Sequence, residues 1–312
     1  MAPSFEAPGL QFDRKKRRAG LLTEINKGAS GRDHQSAPSA LHRPCKNRND
    51  SEYPMTTRIR AKPRGVFFDL YGTLLVFGDM KAAWSDWIDA FYMALGSCGL
   101  AVSKEVFAER CNRFFGREEP PGSNDGFTVF ERRIQNLVEG FGLAIPAVEI
   151  KAIGPGIVNA WQKHIRPDPE AANVLGALQR TKTLALISNF DHPPHVYRVL
   201  REQGLHGYFK TVVISGEVGW KKPHPRIFKL ALHQAGLSAE EVIYVGDTEE
   251  DVKGAKAAGI TPILIARSGN STDPRFLDYQ GNEAGWGLSA APRIHGAVTT
   301  IASLRELVNL VI

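Results

Sequence analysis

The stretch Phe67-Phe68-Asp69-Leu70-Tyr71-Gly72-Thr73-Leu74 decides how the rest of the chain is read. A short apolar run, Val66 to Phe68, ends on a carboxylate, and a glycine follows three residues later. Such a run, bounded by polar residues, predicts a buried strand with Asp69 at its carboxyl end. Four more runs end in the same way. They are Leu184 to Ile187 before Ser188, Val212 to Ile214 before Ser215, Val242 to Val245 before Gly246, and Pro262 to Ile265 before Ala266. Helical patterns lie between them, so the chain from residue 65 predicts an α/β fold with a Rossmann-like, doubly wound parallel sheet. In such sheets chemistry collects at the carboxyl ends of the strands. The polar residues that end the runs are therefore the candidate site.

One interval departs from this rhythm. Between residues 77 and 166 the pattern is helical throughout. Trp84, Trp87, Ile88, Phe91 and Leu95 follow the spacing of one buried helix face, and Phe127, Phe130, Ile134, Leu137 and Val138 repeat it. These aromatics read as core. Residues 77–166 are expected to form an inserted α-helical cap domain over the sheet edge, with residues 63–76 and 167–312 making the core. The Gly-rich stretch Ser268 to His295 reads as a surface excursion. A strand, Val298 to Ile301, and a helix, Ser303 to Val311, are expected to close the fold.

Composition narrows the class. The chain has 312 residues, 43% of them hydrophobic and 23% charged, as in ordinary soluble domains. No apolar stretch approaches the roughly 20 residues that a membrane span needs, so no membrane partner is expected. Cys45, Cys98 and Cys111 form no CxxC pair and no disulfide framework, and the expected location is cytoplasmic. The net charge of +6 is unevenly placed. Residues 1–62 hold 13 Lys and Arg against 6 Asp and Glu, which leaves 26 against 27 for residues 63–312. A near-neutral body argues against nucleic acid as its partner. Residues 1–62 read as a disordered basic leader, and the run Arg14 to Arg18 as a solvated tail without the apolar core of a secretory signal. Met55, ten residues before the first strand, is the expected natural start.

Four motifs come in order: Phe67 to Leu74, then Leu186-Ile187-Ser188-Asn189, then Lys221-Lys222-Pro223, then Val245-Gly246-Asp247-Thr248-Glu249-Glu250-Asp251. Together they resemble the haloacid dehalogenase (HAD) superfamily of hydrolases, over most of residues 65–266. The strings Ser188-Asn189-Phe190-Asp191, Lys222 to Phe228 and Gly254 to Gly259 are similar to the subfamily with a helical cap after the first motif. The resemblance implies that Asp69 is a carboxylate nucleophile, Ser188 a phosphate-oxygen donor, Lys222 a charge clamp and Asp247 a magnesium ligand. It adds the backbone carbonyl of Tyr71 as a further ligand, Asp251 as the anchor of a metal-bound water, and Thr73 and Asn189 as substrate contacts.

The chemistry of these residue types agrees. A carboxylate nucleophile splits one hard displacement into two easier ones. Phosphoryl transfer needs mainly positioning and charge neutralisation. Asp69, Asp247 and Asp251 bring three negative charges against the single ammonium of Lys222, and Mg2+ suits such an all-oxygen site. Lys221 reads as a surface lysine. His192 and His195, three residues apart with Pro193 and Pro194 between them, read as a solvated loop rather than a metal pair.

Tyr71 complicates the reading. Phosphatases of the resembled superfamily carry a second aspartate there, which protonates the leaving group and then activates water. A phenol, with an ordinary pKa near 10, can donate a proton but is a poor base. Asp-x-Tyr-Gly-Thr is the form found in 2-haloacid dehalogenases, whose halide needs no proton. Against that rival stand Gly246-Asp247, the absence of arginine from residues 77–100, where Lys81 lies, and Phe228 in place of a tyrosine six residues after Lys222. The expected function is thus a magnesium-dependent phosphatase acting on a small phosphorylated molecule. A carbon–halogen hydrolase and a low-turnover protein that binds a phosphorylated ligand are the alternatives. A small-molecule substrate is the expected partner, and a homodimer stays open.

Overall fold

The computed structural model describes residues 62–120, 126–267 and 298–312. The leader as far as residue 61, with its basic run and Met55, and the stretch Ser268 to His295 lie outside these residues.

The chain opens with β1 (Gly65–Phe68) and β2 (Leu75–Phe77). Four helices follow: α1 (Met80–Gly96), α2 (Lys104–Cys111), α3 (Val129–Glu139) and α4 (Ala147–Gln162). The chain then returns through β3 (Ile165–Pro167) to α5 (Ala171–Gln179), β4 (Thr183–Ser188) and α6 (Pro193–Glu202). Next come β5 (Thr211–Ile214), α7 (Pro225–Ala235), β6 (Val242–Gly246) and α8 (Glu249–Ala257). The last described elements are β7 (Thr261–Ile265), β8 (Thr299–Ile301) and α9 (Leu304–Val311).

Six strands form one sheet in the order β5-β4-β1-β6-β7-β8. Every neighbouring pair is parallel. Both faces are covered, which is why the strands read as unbroken apolar runs. Val66 and Phe68 point to one face, packed with Leu175, Val199 and Leu304, while Phe67 points to the other, packed with Ile227, Phe228 and Ala255. The strand order reverses at β1, which lies between β4 and β6. Phe68 pairs with Leu186 on one side and Val245 on the other, so the carboxyl ends of these three strands finish together. Ligand crevices of such sheets open at this switch point.

The helical insertion has its own core, in which Trp87, Phe91, Phe107, Phe114, Phe130 and Ile134 are buried. Thr128 starts α3 through a reciprocal capping box with Glu131. At the base of the insertion the structure departs from the all-helical expectation. β2 and β3 pair antiparallel, Leu75 opposite Pro167 and Phe77 opposite Ile165. Three residues per strand are too few to show a period of two, so the ribbon was invisible to pattern. No described helix is long and apolar enough to cross a membrane.

Candidate active site

Asp69 leaves β1 with its N–H donating to the Val245 carbonyl at 2.9 Å. The chain then turns back, and the N–H groups of Leu74 and Leu75 both donate to the Leu70 carbonyl. Gly72 sits in this turn with φ +87°, and a Cβ there would lie 2.1 Å from Asp247 Oδ2. Left-handed backbone and close approach both demand glycine. Thr73, beside it, donates its hydroxyl to Asp247 Oδ1 at 3.1 Å.

Oxygens of Asp69, Asp247 and Asp251 all lie within 4.8 Å of one another, and all three residues are buried. Lys222, also buried, joins the group. Its Nζ donates to Asp69 Oδ1 at 2.6 Å and to Asp251 Oδ1 at 2.7 Å. Asp251 is held further by the Tyr244 hydroxyl at 2.9 Å and by the Thr248 hydroxyl and N–H, which reach its Oδ2 at 2.6 and 3.1 Å. It is thus a cap residue of α8 as well as a neighbour of the cluster. Gly246 makes room for it, since a Cβ there would meet the Asp251 carboxyl at 2.4 Å.

The charges do not balance. Burial pushes the Asp69 carboxyl up to about 6, against the pull of Lys222. Burial, then the negative charges of Asp69 and Asp251, drive Asp247 well above the carboxylate range. Burial opposes the charge on Lys222, but Asp251 and Asp69 together hold its ammonium above the ordinary lysine range. Three buried carboxylates against one ammonium form a surplus-negative, all-oxygen cluster of the kind that suits a hard divalent cation.

Ser188 ends β4 and is buried at the same sheet edge. Thr73 and Asn189 each have a partner within the protein. Thr73 spends its hydroxyl on Asp247. The Asn189 amide spans the Lys222 backbone, accepting from its N–H at 2.8 Å and donating to its carbonyl at 3.0 Å. Buried polar groups pair with whatever lies nearest, and here that is the protein itself.

The two histidines correct the sequence reading, while Lys221 keeps part of its side chain in solvent. Lys221 is half-buried, with ion pairs to Asp191 at 3.0 Å and to Glu119. Asp191 also takes Arg133 Nε of α3 at 2.7 Å, so the helical insertion meets the loop after Ser188 through these charges. His192 and His195 are buried, not in a solvated loop. Pro193 and Pro194 occupy the first turn of α6, where their missing N–H groups cost nothing. His192 Nδ1 lies 3.1 Å from the Thr128 hydroxyl, and the His195 ring stacks on Phe190.

Tyr71 stacks on Phe190 with ring centroids 5.1 Å apart and lies 5.3 Å from Trp161. Its hydroxyl donates to Gln162 Oε1 at 3.1 Å, at the end of α4. Gln162 Nε2 donates to the Ile165 carbonyl at 3.3 Å, which orients the amide. His195 Nε2 meets the same Oε1 at 2.9 Å and so carries the ring proton. Removal from water raises the Tyr71 phenol far above its ordinary value. The phenol is therefore a firmly protonated group committed to Gln162.

Tyr244 escaped the sequence reading. It lies within the apolar run of β6, yet its hydroxyl reaches Lys222 Nζ at 3.2 Å and Asp251 at 2.9 Å. Its ring packs edge-on against Phe228, with centroids 4.9 Å apart. A lone hydroxyl in an otherwise apolar run was its only trace.

Fold and site now define a class of protein: an α/β fold whose parallel sheet carries an aspartate, a lysine and an acidic cluster at its switch point. Residues 63–259 match the family model of the haloacid dehalogenase-like hydrolases, and the chain belongs to that family. It is 35% identical over 259 residues to the glyceraldehyde 3-phosphate phosphatase of Methanocaldococcus jannaschii, a match that covers 80% of this chain and 96% of that protein. It is 41% identical over 108 residues to the phosphoserine phosphatase of Thermus thermophilus, covering 34% of this chain and 43%, under half, of that protein. The solved 2-haloacid dehalogenase of Pseudomonas syringae pv. Tomato shares the fold, with a TM-score of 0.52 and 22% identity over 80% of this chain and 97% of that one.

Proposed function

We propose that the protein is a magnesium-dependent phosphatase of small phosphorylated molecules, working in the cytoplasm through Asp69 as nucleophile. The observation that carries this reading is the buried Asp69–Asp247–Asp251 cluster, whose oxygens lie within 4.8 Å of one another and face a single ammonium, that of Lys222. The phosphatases among its relatives support it.

An Asp69 carboxylate oxygen attacks phosphorus, the bond from phosphorus to the leaving oxygen breaks, and an aspartyl phosphate forms. Water then attacks that phosphorus, releasing inorganic phosphate and restoring the carboxylate. Lys222 neutralises charge on the transferring group and orients Asp69. Ser188, at the end of β4, offers a hydroxyl to a phosphate oxygen. Asn189 fixes the Lys222 backbone. Asp69, Asp247 and the Tyr71 carbonyl would hold magnesium, with Asp251 behind them; when bound, the ion offsets the negative charge of nucleophile and phosphate. The helical insertion, joined to the core by the β2–β3 ribbon, acts as a cap that excludes water from the site.

A second reading rests on Tyr71, which leaves position 71 without a carboxylic acid: displacement of halide from carbon needs no proton donor there. A panel of alkyl, aryl and acyl phosphates together with 2-chloropropionate, run with magnesium and with EDTA, separates the two. Phosphate release abolished by EDTA is the expected result. Chloride release indifferent to EDTA would establish the dehalogenase. Tight phosphate binding without turnover on either panel would leave a binding protein.

A further inference from the structure

Arg267, two residues past β7, reaches back to three acceptors beside the nucleophile. Its Nη1 donates to the Gly72 carbonyl at 2.6 Å, and its Nη2 donates to the Thr73 carbonyl at 2.7 Å and to Asp168 Oδ2 at 2.6 Å. The side chain is 14% exposed. These acceptors flank the helical insertion on both sides: Gly72 and Thr73 precede β2, and Asp168 directly follows β3. Asp168 is itself buried and fixed. Its N–H donates to the Leu74 carbonyl at 2.9 Å, and its Oδ1 accepts from the Glu170 N–H at 2.8 Å. A planar fork that meets two carbonyls and a carboxylate at once is a task for arginine and not for lysine.

The turn that Arg267 grips is the one that sets Asp247. Thr73 donates to Asp247 Oδ1, and Gly72 leaves the space that the Asp247 carboxyl fills. We propose that Arg267 is a positioning residue: it locks the Gly72–Thr73 turn to the base of the helical insertion and, through Thr73, holds the Asp247 carboxylate in the acidic cluster. The metal-binding consequence rests on the magnesium reading above; the mechanical one does not.

The test uses the full chain with Arg267→Ala, Arg267→Lys, Asp168→Asn and Thr73→Val. Magnesium binding is read by calorimetry, and amide hydrogen exchange is read over residues 70–76 and 165–169. Arg267→Ala is expected to weaken Mg2+ about tenfold, the lower end of what outer partners of metal ligands cost. It should also speed exchange in both segments. Arg267→Lys and Asp168→Asn should lie between it and the parent, and keep the test open if the alanine variant does not fold. Thr73→Val should weaken Mg2+ without altering exchange at 165–169, a split that general loosening would not produce. Magnesium affinity within twofold of the parent in folded Arg267→Ala, or unchanged exchange over 70–76, overturns the proposal. A parent protein that binds no Mg2+ contradicts the magnesium reading instead, and the exchange measurement then decides the role of Arg267 alone.

Discussion

Asn189 holds the backbone of Lys222 at two points, Oδ1 accepting from its N–H at 2.8 Å and Nδ2 donating to its carbonyl at 3.0 Å. This pair of bonds aims the lysine, whose Nζ then bridges Asp69 and Asp251. The loop after β4 and the turn before α7 are thereby joined at the residue that carries the site's positive charge.

Asn189→Ala removes both bonds and leaves the backbone N–H and carbonyl of buried Lys222 short of these partners. A loss of about 1–3 kcal/mol in the placement of Lys222 corresponds to roughly 5- to 150-fold in rate. The expected result is a fall in kcat of that size, with KM changed far less. Steady-state kinetics on an aryl phosphate with saturating magnesium checks it. A rise in KM alone would instead support the substrate-contact role expected from its motif.

Tyr71 offers a direct way to change the leaving-group preference. Its phenol is occupied by Gln162 and held protonated, so it supplies no base to the second step. Tyr71→Asp is expected to raise activity on alkyl phosphates, within the range of about 10²–10⁴ that general acid–base groups contribute, and to change aryl phosphates much less. The variant also forfeits the stacking on Phe190, so a lower melting temperature should accompany the gain. An unchanged or lower alkyl phosphatase rate in the folded variant would contradict this view of position 71.

His195 links the fold to acid. Burial, then the positive charges of Arg198 and His192, depress its pKa to about 3 from an ordinary 6.5. The unfolded chain therefore takes up a proton that the folded one refuses. The resulting stability is complete above the unfolded value of 6.5 and is lost as pH falls from there towards 3. The full effect is roughly 3–5 kcal/mol. His195→Gln keeps a donor for Gln162 and cannot titrate. Its unfolding free energy should fall less steeply than the parent's between pH 6.5 and 4 in denaturant titrations, and parallel curves would refute the assignment.

Much of this architecture could be read from residues alone, for a definite reason. The parallel strands are covered on both faces, so they appear as apolar runs, and their polar endings mark the switch point. Asp69, Ser188, Lys222 and Asp247 all stand at such endings or before helices. Pattern failed where a role depends on contacts distant in sequence. The β2–β3 ribbon is too short to show a period. Thr73 and Asn189 carry side chains suited to a substrate, and only the folded chain reveals their contacts to Asp247 and Lys222. His192 and His195 look exposed beside two prolines until α6 starts on those prolines. Tyr244 left only a lone hydroxyl in an apolar run and Arg267 no local signature, because their partners lie 7 to 195 residues away.

The central claim is that Asp69 attacks phosphorus while magnesium is held beside it. Acid-quenching the reaction with an aryl phosphate, followed by peptide mass analysis, tests this most directly. A single phosphoryl group is expected on the peptide that contains Asp69, absent after EDTA treatment and absent from Asp69→Asn. Phosphate release at the parent rate by Asp69→Asn, or a phosphoryl group carried on a different residue, would contradict it.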